Sequence, residues 1–243
     1  MRYQNVVEGV FLQRMNRFVA WVRVNGAGAR CHVKNTGRLK ELFVSGARCV
    51  LAVSDNPNRA TAYDLVGIWR GDVLVNVDSQ APNAAAREWV SAGGLGGGVT
   101  LVKPEYKWGN SRFDLYAERL SDAPAEVECA APERLLIEVK GVTLNVDGEA
   151  RFPDAPTDRG VKHVRELIHA HQQGYRACIL FVIQMPDVTG FAPNDVTHPE
   201  FGEALRDAAR AGVEIHAVLC ENRPDSMVMT REVPVRLTGA SGR

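Results

Sequence analysis

No stretch of the chain approaches the roughly 18 consecutive apolar residues of a membrane span, and MRYQNVVEGVFLQRM has no apolar core of the signal-peptide kind. The sequence therefore predicts neither, and a cytoplasmic protein. Cysteine is scarce: Cys31, Cys49, Cys129, Cys178 and Cys220 stand singly, with no C-x-x-C pair. That excludes a disulfide framework and the common zinc ribbons, and a Cys31, His32 and Cys49 grouping matches no established zinc spacing. The thiols are expected reduced, Cys178 and Cys220 as small buried hydrophobes. Net charge is also lacking, with 29 Lys+Arg against 29 Asp+Glu, which excludes a histone-like coat for phosphate. Zinc-finger and helix-turn-helix patterns are absent, as are internal repeats.

The zero average conceals an asymmetry. Residues 1–91 carry 12 Lys+Arg and 7 Asp+Glu, a net of +5, and the remainder carries −5. The positive half reads as six short β runs at spacings near ten residues, from VEGVFLQRM to DVLVNVD. Asn25-Gly26 and Asn35-Thr36-Gly37 mark tight turns, and residues 38–43 fit one helical turn. An OB-like β-barrel over residues 1–81 is the expected architecture.

Residues 82–243 read differently. Asn83 is placed as an N-cap for AAAREWV, and a glycine run follows at 93–98, either a linker or a loop with unusual backbone angles. Strand-like VTLVKPEYKW, SRFDLYAERL and RLLIEVKGVTLNV come next, with a polar insertion at 121–132. A helix, VKHVRELIHAHQQ, leads to the near-continuous apolar run YRACILFVIQ, the pattern of a strand covered on both faces. A second helix and VEIHAVLCE complete it. The fold class expected is α+β in two domains, the second a mixed-sheet α/β domain.

Strand period two puts Arg112, Asp114, Tyr116 and Glu118 on one face, with Phe113, Leu115 and Ala117 opposite. It also aligns Leu136, Glu138 and Lys140. If those faces coincide, Asp114 and Glu138 converge beside Lys140, and two such carboxylates repel unless a cation joins them. Mg²⁺ or Mn²⁺ would suit oxygen ligands and phosphodiester chemistry, with Lys140 orienting water or meeting a phosphate oxygen. The alternative is a salt-bridged surface, though two charges on one face of so apolar a strand need a reason.

This D…E-x-K arrangement behind a short helix resembles the PD-(D/E)XK nuclease core, with Phe113 where the family pattern has proline. The resemblance implies a restriction-endonuclease-like domain, catalytic Asp114, Glu138 and Lys140, metal ligation by Asp114, Glu138 and the Val139 carbonyl, and a further carboxylate from Glu88 or Glu105. HVKNTGRLKELF, IEVKGVTL and the long ARFPDAPTDRGVKHVREL resemble the sugar fermentation stimulation protein A (SfsA) family. That similarity implies an OB-like domain, a nuclease-like domain, DNA binding and a link to sugar utilisation, maltose genes in particular.

In FPDAPTDRG the prolines stiffen a loop, Asp158 can cap the helix, and Arg159 and Lys162 ride on its first turn, where free N–H groups favour an anion. Two roles stay open for them, gripping phosphate or pairing with Asp154 or Asp158. His163, His169 and His171 read as solvated or core-edge histidines. In the barrel half, Arg14, Arg17, Arg23, Arg30, Lys34, Arg38, Lys40 and Arg48 interleave with Phe18, Trp21 and Phe43, the composition with which OB folds hold single strands, although Trp21 reads as core. Nucleic acid, most simply DNA, is the expected partner, with no membrane and with a homodimer left open. Two further classes stand beside the nuclease: a non-catalytic regulator using the same scaffold, and a sugar-phosphate binder for which no pocket is visible.

Overall fold

The structure is a computed structural model and describes residues 1–35, 37–109, 111–120 and 132–238. Thr36, Cys129 and nearly all of the polar insertion, residues 121–131, lie outside the described residues. The N-terminal half contains β1 (Val6–Arg14), β2 (Val19–Val24), β3 (Ala27–Val33), β4 (Arg48–Val53), β5 (Tyr63–Arg70) and β6 (Val73–Asn76). β1 pairs with both β2 and β4, and β3 meets β5 in parallel, which closes a five-stranded barrel with β6 hairpinned onto β5. Alternation drives the curl: Ala20, Val22 and Val24 fill the interior beside Phe11, Leu51 and Leu65, while Arg23 is solvated. Trp21 follows the outward set, half-buried across from Arg30, and so is not the core residue its apolar neighbours suggested.

Cys31 and Cys49 point into the barrel, where burial pushes both thiols up to about 12. His32 alternates outward to Asp64, 3.3 Å away, so the three residues do not gather around a cation. Residues 39–43 make a single turn, closed by Phe43 N–H to the Leu39 carbonyl at 2.9 Å. Arg14 ties this segment down. Its guanidinium donates to the carbonyls of Asn16, Arg17, Asn35, Gly37 and Arg38 and lies over the Phe43 ring. Arg14 is therefore a brace, with all of its donors spent on backbone carbonyls. Arg14→Met should cost about 1–2 kcal/mol in denaturant unfolding, as the two part-buried carbonyls of Asn35 and Gly37 lose a charged donor at once.

The second half carries α1 (Ala81–Ser91), β7 (Val99–Trp108), β8 (Ser111–Arg119), β9 (Glu133–Val142), β10 (Leu144–Val146), β11 (Glu149–Phe152), α2 (Asp158–Gln172), β12 (Arg176–Ile183), β13 (Phe191–Pro193), α3 (Pro199–Arg210), β14 (Glu214–Arg223) and β15 (Ser226–Glu232). The main sheet runs β15-β14-β12-β9-β8-β7, with β9, β12 and β14 parallel, and β10-β11-β13 form a small second sheet. The architecture is a barrel followed by a mixed-sheet α/β domain. Leu135, Ile137, Val139, Leu180 and Val182 pack with α1 on one face; Leu136, Ile179, Phe181 and Ile183 pack with α2 and α3 on the other. Charged residues on β9 thus sit in a strand covered on both sides.

The glycine run is a structured loop. Gly96 has φ +109, a Cβ there would meet Arg119 Nη1 at 2.1 Å, and Leu95 is buried under α1. Polar side chains join the two halves: Gln184 Nε2 donates to the carbonyls of Asn76 and Asp78, and Asn222 Nδ2 to those of Leu74 and Gln184, at 2.8–3.2 Å.

Candidate metal centre and nucleic-acid interface

Asp114 on β8 and Glu138 on β9 meet where the ladder between their strands opens. The last registered pair is Leu115↔Ile137, and one step further places Asp114 across from Glu138. Side chain replaces backbone there. Asp114 Oδ2 accepts the Val139 N–H at 2.8 Å, and Oδ1 accepts Asn83 Nδ2 at 2.9 Å. A strand residue turns its N–H and C=O to the same side, so the Val139 carbonyl faces the same gap.

The opening has a local cause. Pro104↔Leu115 and Tyr106↔Phe113 place Glu105 opposite Asp114, and Glu105 has φ +52, in the left-handed region. Both strands change face at this pair. Leu115 packs with the α1 layer, yet Phe113 packs on Trp108, which in turn contacts His169 of α2. The strict alternation expected of residues 112–118 therefore fails at Asp114, because the twist at Glu105 carries Phe113 to the α2 side.

Glu138 is 2% exposed. Its Oε1 receives Lys140 Nζ at 2.5 Å and His163 Nδ1, while Oε2 is buried with no hydrogen-bond partner among the described residues. The two carboxylates are electrostatically unlike. Burial raises the Asp114 carboxyl, and the Glu138 charge raises it further; Val139, Lys140 and Asn83 offset only part. Burial would raise Glu138 as well, but His163 and Lys140 outweigh it and hold that carboxyl below the usual glutamate value.

An anionic pair of which one member is destabilised and the other has an orphaned buried oxygen fits a hard divalent cation. Among the described residues no three His, Cys, Asp or Glu side chains gather to enclose a metal. A cation here would take Asp114, Glu138 and the Val139 carbonyl, and complete its shell with water or substrate.

The two further carboxylates are not brought to this point. Glu88 is 60% exposed and pairs with the Met1 ammonium at 2.6 Å, because it lies five positions along the helix from Asn83, the α1 residue that does reach Asp114. Asn83 is accordingly not the N-cap; the helix opens two residues earlier, at Ala81. Glu105 stands across from Asp114 but is 71% exposed and pairs with Arg112 at 3.4 Å.

Sequence reasoning missed Asn83 and His163. A signal existed for the second: His163 lies three residues after Gly160 and four before Leu167, on the buried stripe of α2, where a polar side chain demands a partner.

Of the basic residues, Arg17, Arg38 and Lys40 are exposed around a cleft of about 340 Å³. Arg23 is exposed on β2, and Phe18, beside Arg17, is 53% exposed. Lys34 is withdrawn from that set, since it pairs with Asp64 at 3.2 Å and Asp78 at 3.6 Å. On α2, Thr157 and not Asp158 is the cap, accepting the Gly160 N–H at 3.0 Å. Arg159 is exposed and donates Nε to His163 Nε2 at 3.4 Å, and Lys162 pairs with Glu166 at 3.6 Å, so neither adopts Asp154 or Asp158 as partner. The barrel cleft adjoins the loop that leads into this helix: a Cβ on Gly37 would come within 2.7 Å of Asp154 Oδ2.

Residues 80–226 match the family model described as the sugar fermentation stimulation protein RE domain, and residues 12–77 match the SfsA N-terminal OB domain. The chain is 46% identical over 237 residues to a sugar fermentation stimulation protein homolog of Ruminiclostridium cellulolyticum, covering 98% of this chain and 100% of that one. A Desulfitobacterium hafniense homolog is 45% identical, covering 98% and 99%. The structure of Pyrococcus furiosus SfsA in complex with Ca²⁺ superposes with a TM-score of 0.83 at 28% identity, covering 97% of this chain and 98% of the other. With both domains matched in order and relatives aligned end to end, the chain belongs to the sugar fermentation stimulation protein family.

Proposed function

We propose that this protein binds nucleic acid, DNA in the first instance, through its barrel and hydrolyses phosphodiester bonds at Asp114, Glu138 and Lys140 with a divalent cation. The observation that carries the reading is the buried Glu138 Oε2, without a donor among the described residues, beside an Asp114 carboxylate that burial and then the Glu138 charge destabilise. The Ca²⁺ complex of the Pyrococcus furiosus relative supports a divalent ion in this fold. When bound, Mg²⁺ or Mn²⁺ would supply charge stabilisation to the phosphodiester and a water of lowered pKa.

The chain's own groups do the rest. Asn83 and the Val139 N–H hold the Asp114 carboxylate in one orientation. Lys140, anchored on Glu138, keeps an ammonium beside the carboxylates that can meet a phosphate oxygen. Arg159 on the first turn of α2, and Arg17, Arg38 and Lys40 around the barrel cleft, offer charges along one side for a phosphate backbone. Exposed Phe18 offers a face on which a base can stack.

The test is Mn²⁺ titration calorimetry followed by cleavage assays on single- and double-stranded DNA and RNA. Micromolar binding that vanishes in Glu138→Ala, with divalent-dependent cleavage of at least one substrate, is the expected result. Absence of both metal binding and cleavage in the wild type would refute it.

A second reading has one observation in its favour. Glu138 Oε1 already has the Lys140 ammonium as counter-charge and a hydrogen bond from His163, as in a scaffold that needs no ion to stay folded. A DNA-binding regulator of sugar-utilisation genes in the cytoplasm would then retain its in-cell effect when Asp114 is replaced by Ala.

A further inference from the structure

His163 and Lys140 donate to the same oxygen of Glu138, Oε1, and the other oxygen has no donor among the described residues. Two donors on one oxygen fix the plane of a carboxylate and leave the second oxygen available in a known direction. They are unequal as holders. Lys140 sits on the same strand as Glu138 and reaches it through four rotatable carbons, whereas His163 comes from α2 as a rigid ring, itself buried between the helix and β9.

The ring's orientation is set from its far side. Arg159, one turn earlier on α2, donates Nε to His163 Nε2 at 3.4 Å. A guanidinium has donors only, so Nε2 must carry a lone pair, and the imidazole proton stands on Nδ1, directed at Glu138.

We propose that His163 is the positioning residue of the Glu138 carboxylate, holding Oε1 so that Oε2 is presented to a divalent cation, and that Arg159 fixes the tautomer that lets it do so. This rests on the divalent-cation reading above. The chain Arg159, His163, Glu138 also joins two parts of the site. Its outer end is an exposed cation on the first turn of α2, placed to meet a phosphate, and its inner end is a metal-facing carboxylate. Groups that hydrogen-bond a metal ligand in this way typically govern affinity by 10–100-fold, roughly as much as a weak ligand does.

The experiment is Mn²⁺ titration calorimetry on the full chain without nucleic acid, with thermal melting of each variant to confirm folding. His163→Phe keeps the volume and loses the donor, and should weaken Mn²⁺ binding roughly 10–100-fold. His163→Asn places an amide N–H where Nδ1–H stood and should restore affinity to near the wild-type value. Arg159→Met, a surface change, should weaken binding by a smaller factor and let the other imidazole tautomer appear in ¹⁵N spectra of labelled histidine. His163→Phe binding Mn²⁺ as the wild type does, or His163→Asn as impaired as His163→Phe, would overturn the positioning role while the metal site stands. A wild type that binds no Mn²⁺ would overturn the divalent reading and this proposal with it.

Discussion

Metal-free protein carrying Asp114→Asn should melt above the wild type at pH 7, and Glu138→Gln should melt below it. The two carboxylates face each other, yet their surroundings act in opposite senses. Asp114 pays for its burial and for the charge of Glu138 with a raised carboxyl, so folding binds a proton that the unfolded chain releases. Its cost to stability is absent below the ordinary carboxylate range, grows as pH rises from that range toward the raised value, and is complete above it. Asparagine keeps an oxygen for the Val139 N–H and an amide able to bond Asn83 after rotation, and it removes the repulsion. A gain of about 1 kcal/mol would raise the midpoint by roughly 2–4 °C in a chain of this size.

Glu138 has the reverse sign. Although burial opposes its ionisation, His163 and Lys140 hold it below the usual glutamate value. Its contribution is present above the ordinary glutamate range and is lost as pH falls through the lower folded value. Neutral glutamine leaves Lys140, largely covered, without its counter-charge, at a cost of about 3 kcal/mol, the low end for breaking a buried pair. Both variants should lose stabilisation by Mn²⁺. Scanning calorimetry from pH 4 to 8 with and without Mn²⁺ checks all of this; a destabilised Asp114→Asn would mean that the aspartate is a structural acceptor whose charge the fold tolerates.

Lys140→Met should lower single-turnover cleavage by about 10²–10³-fold, the usual loss when a preorganised charge is removed from a reacting centre. Nucleic-acid affinity, read by fluorescence anisotropy, should change by no more than a few fold, because the barrel cleft and Arg159 are untouched. Arginine should not rescue: its planar fork cannot occupy the place of a compact ammonium against Glu138 Oε1. Removal of one donor also lets the Glu138 carboxyl rise toward its ordinary range, so the acid limb of the rate profile should move to higher pH. A Lys140→Met variant that cleaves as fast as the wild type would place the ammonium among the structural ion pairs and point to another group as the partner of the phosphate.

Much of this was legible in the sequence because the signals were local. Turn residues at ten-residue spacing mark the barrel strands, and period two aligns Glu138 with Lys140. The apolar run around Cys178 identifies β12 as covered on both faces. What escaped depends on neighbours distant in the chain. Phe113 leaves its expected face because Glu105, on another strand, has a left-handed backbone. His163 reads as an edge histidine until β9 brings Glu138 beneath it. Arg14 and Lys34 read as free cations because the carbonyls and aspartates that occupy them are up to 44 residues away along the chain. Even β10, β11 and β13 are too short to announce a sheet of their own.

Gln184, Asn76 and Asn222 tie the halves together, and mechanically they make the barrel a fixed handle. No loose tether intervenes between β6 and α1, and Phe11 of the barrel belongs to the same continuous core cluster as Phe181 of the sheet. A strand held in the barrel cleft would therefore meet the carboxylates at a constant offset, as against a gauge stop, and the fragments released should differ in sequence but share their length.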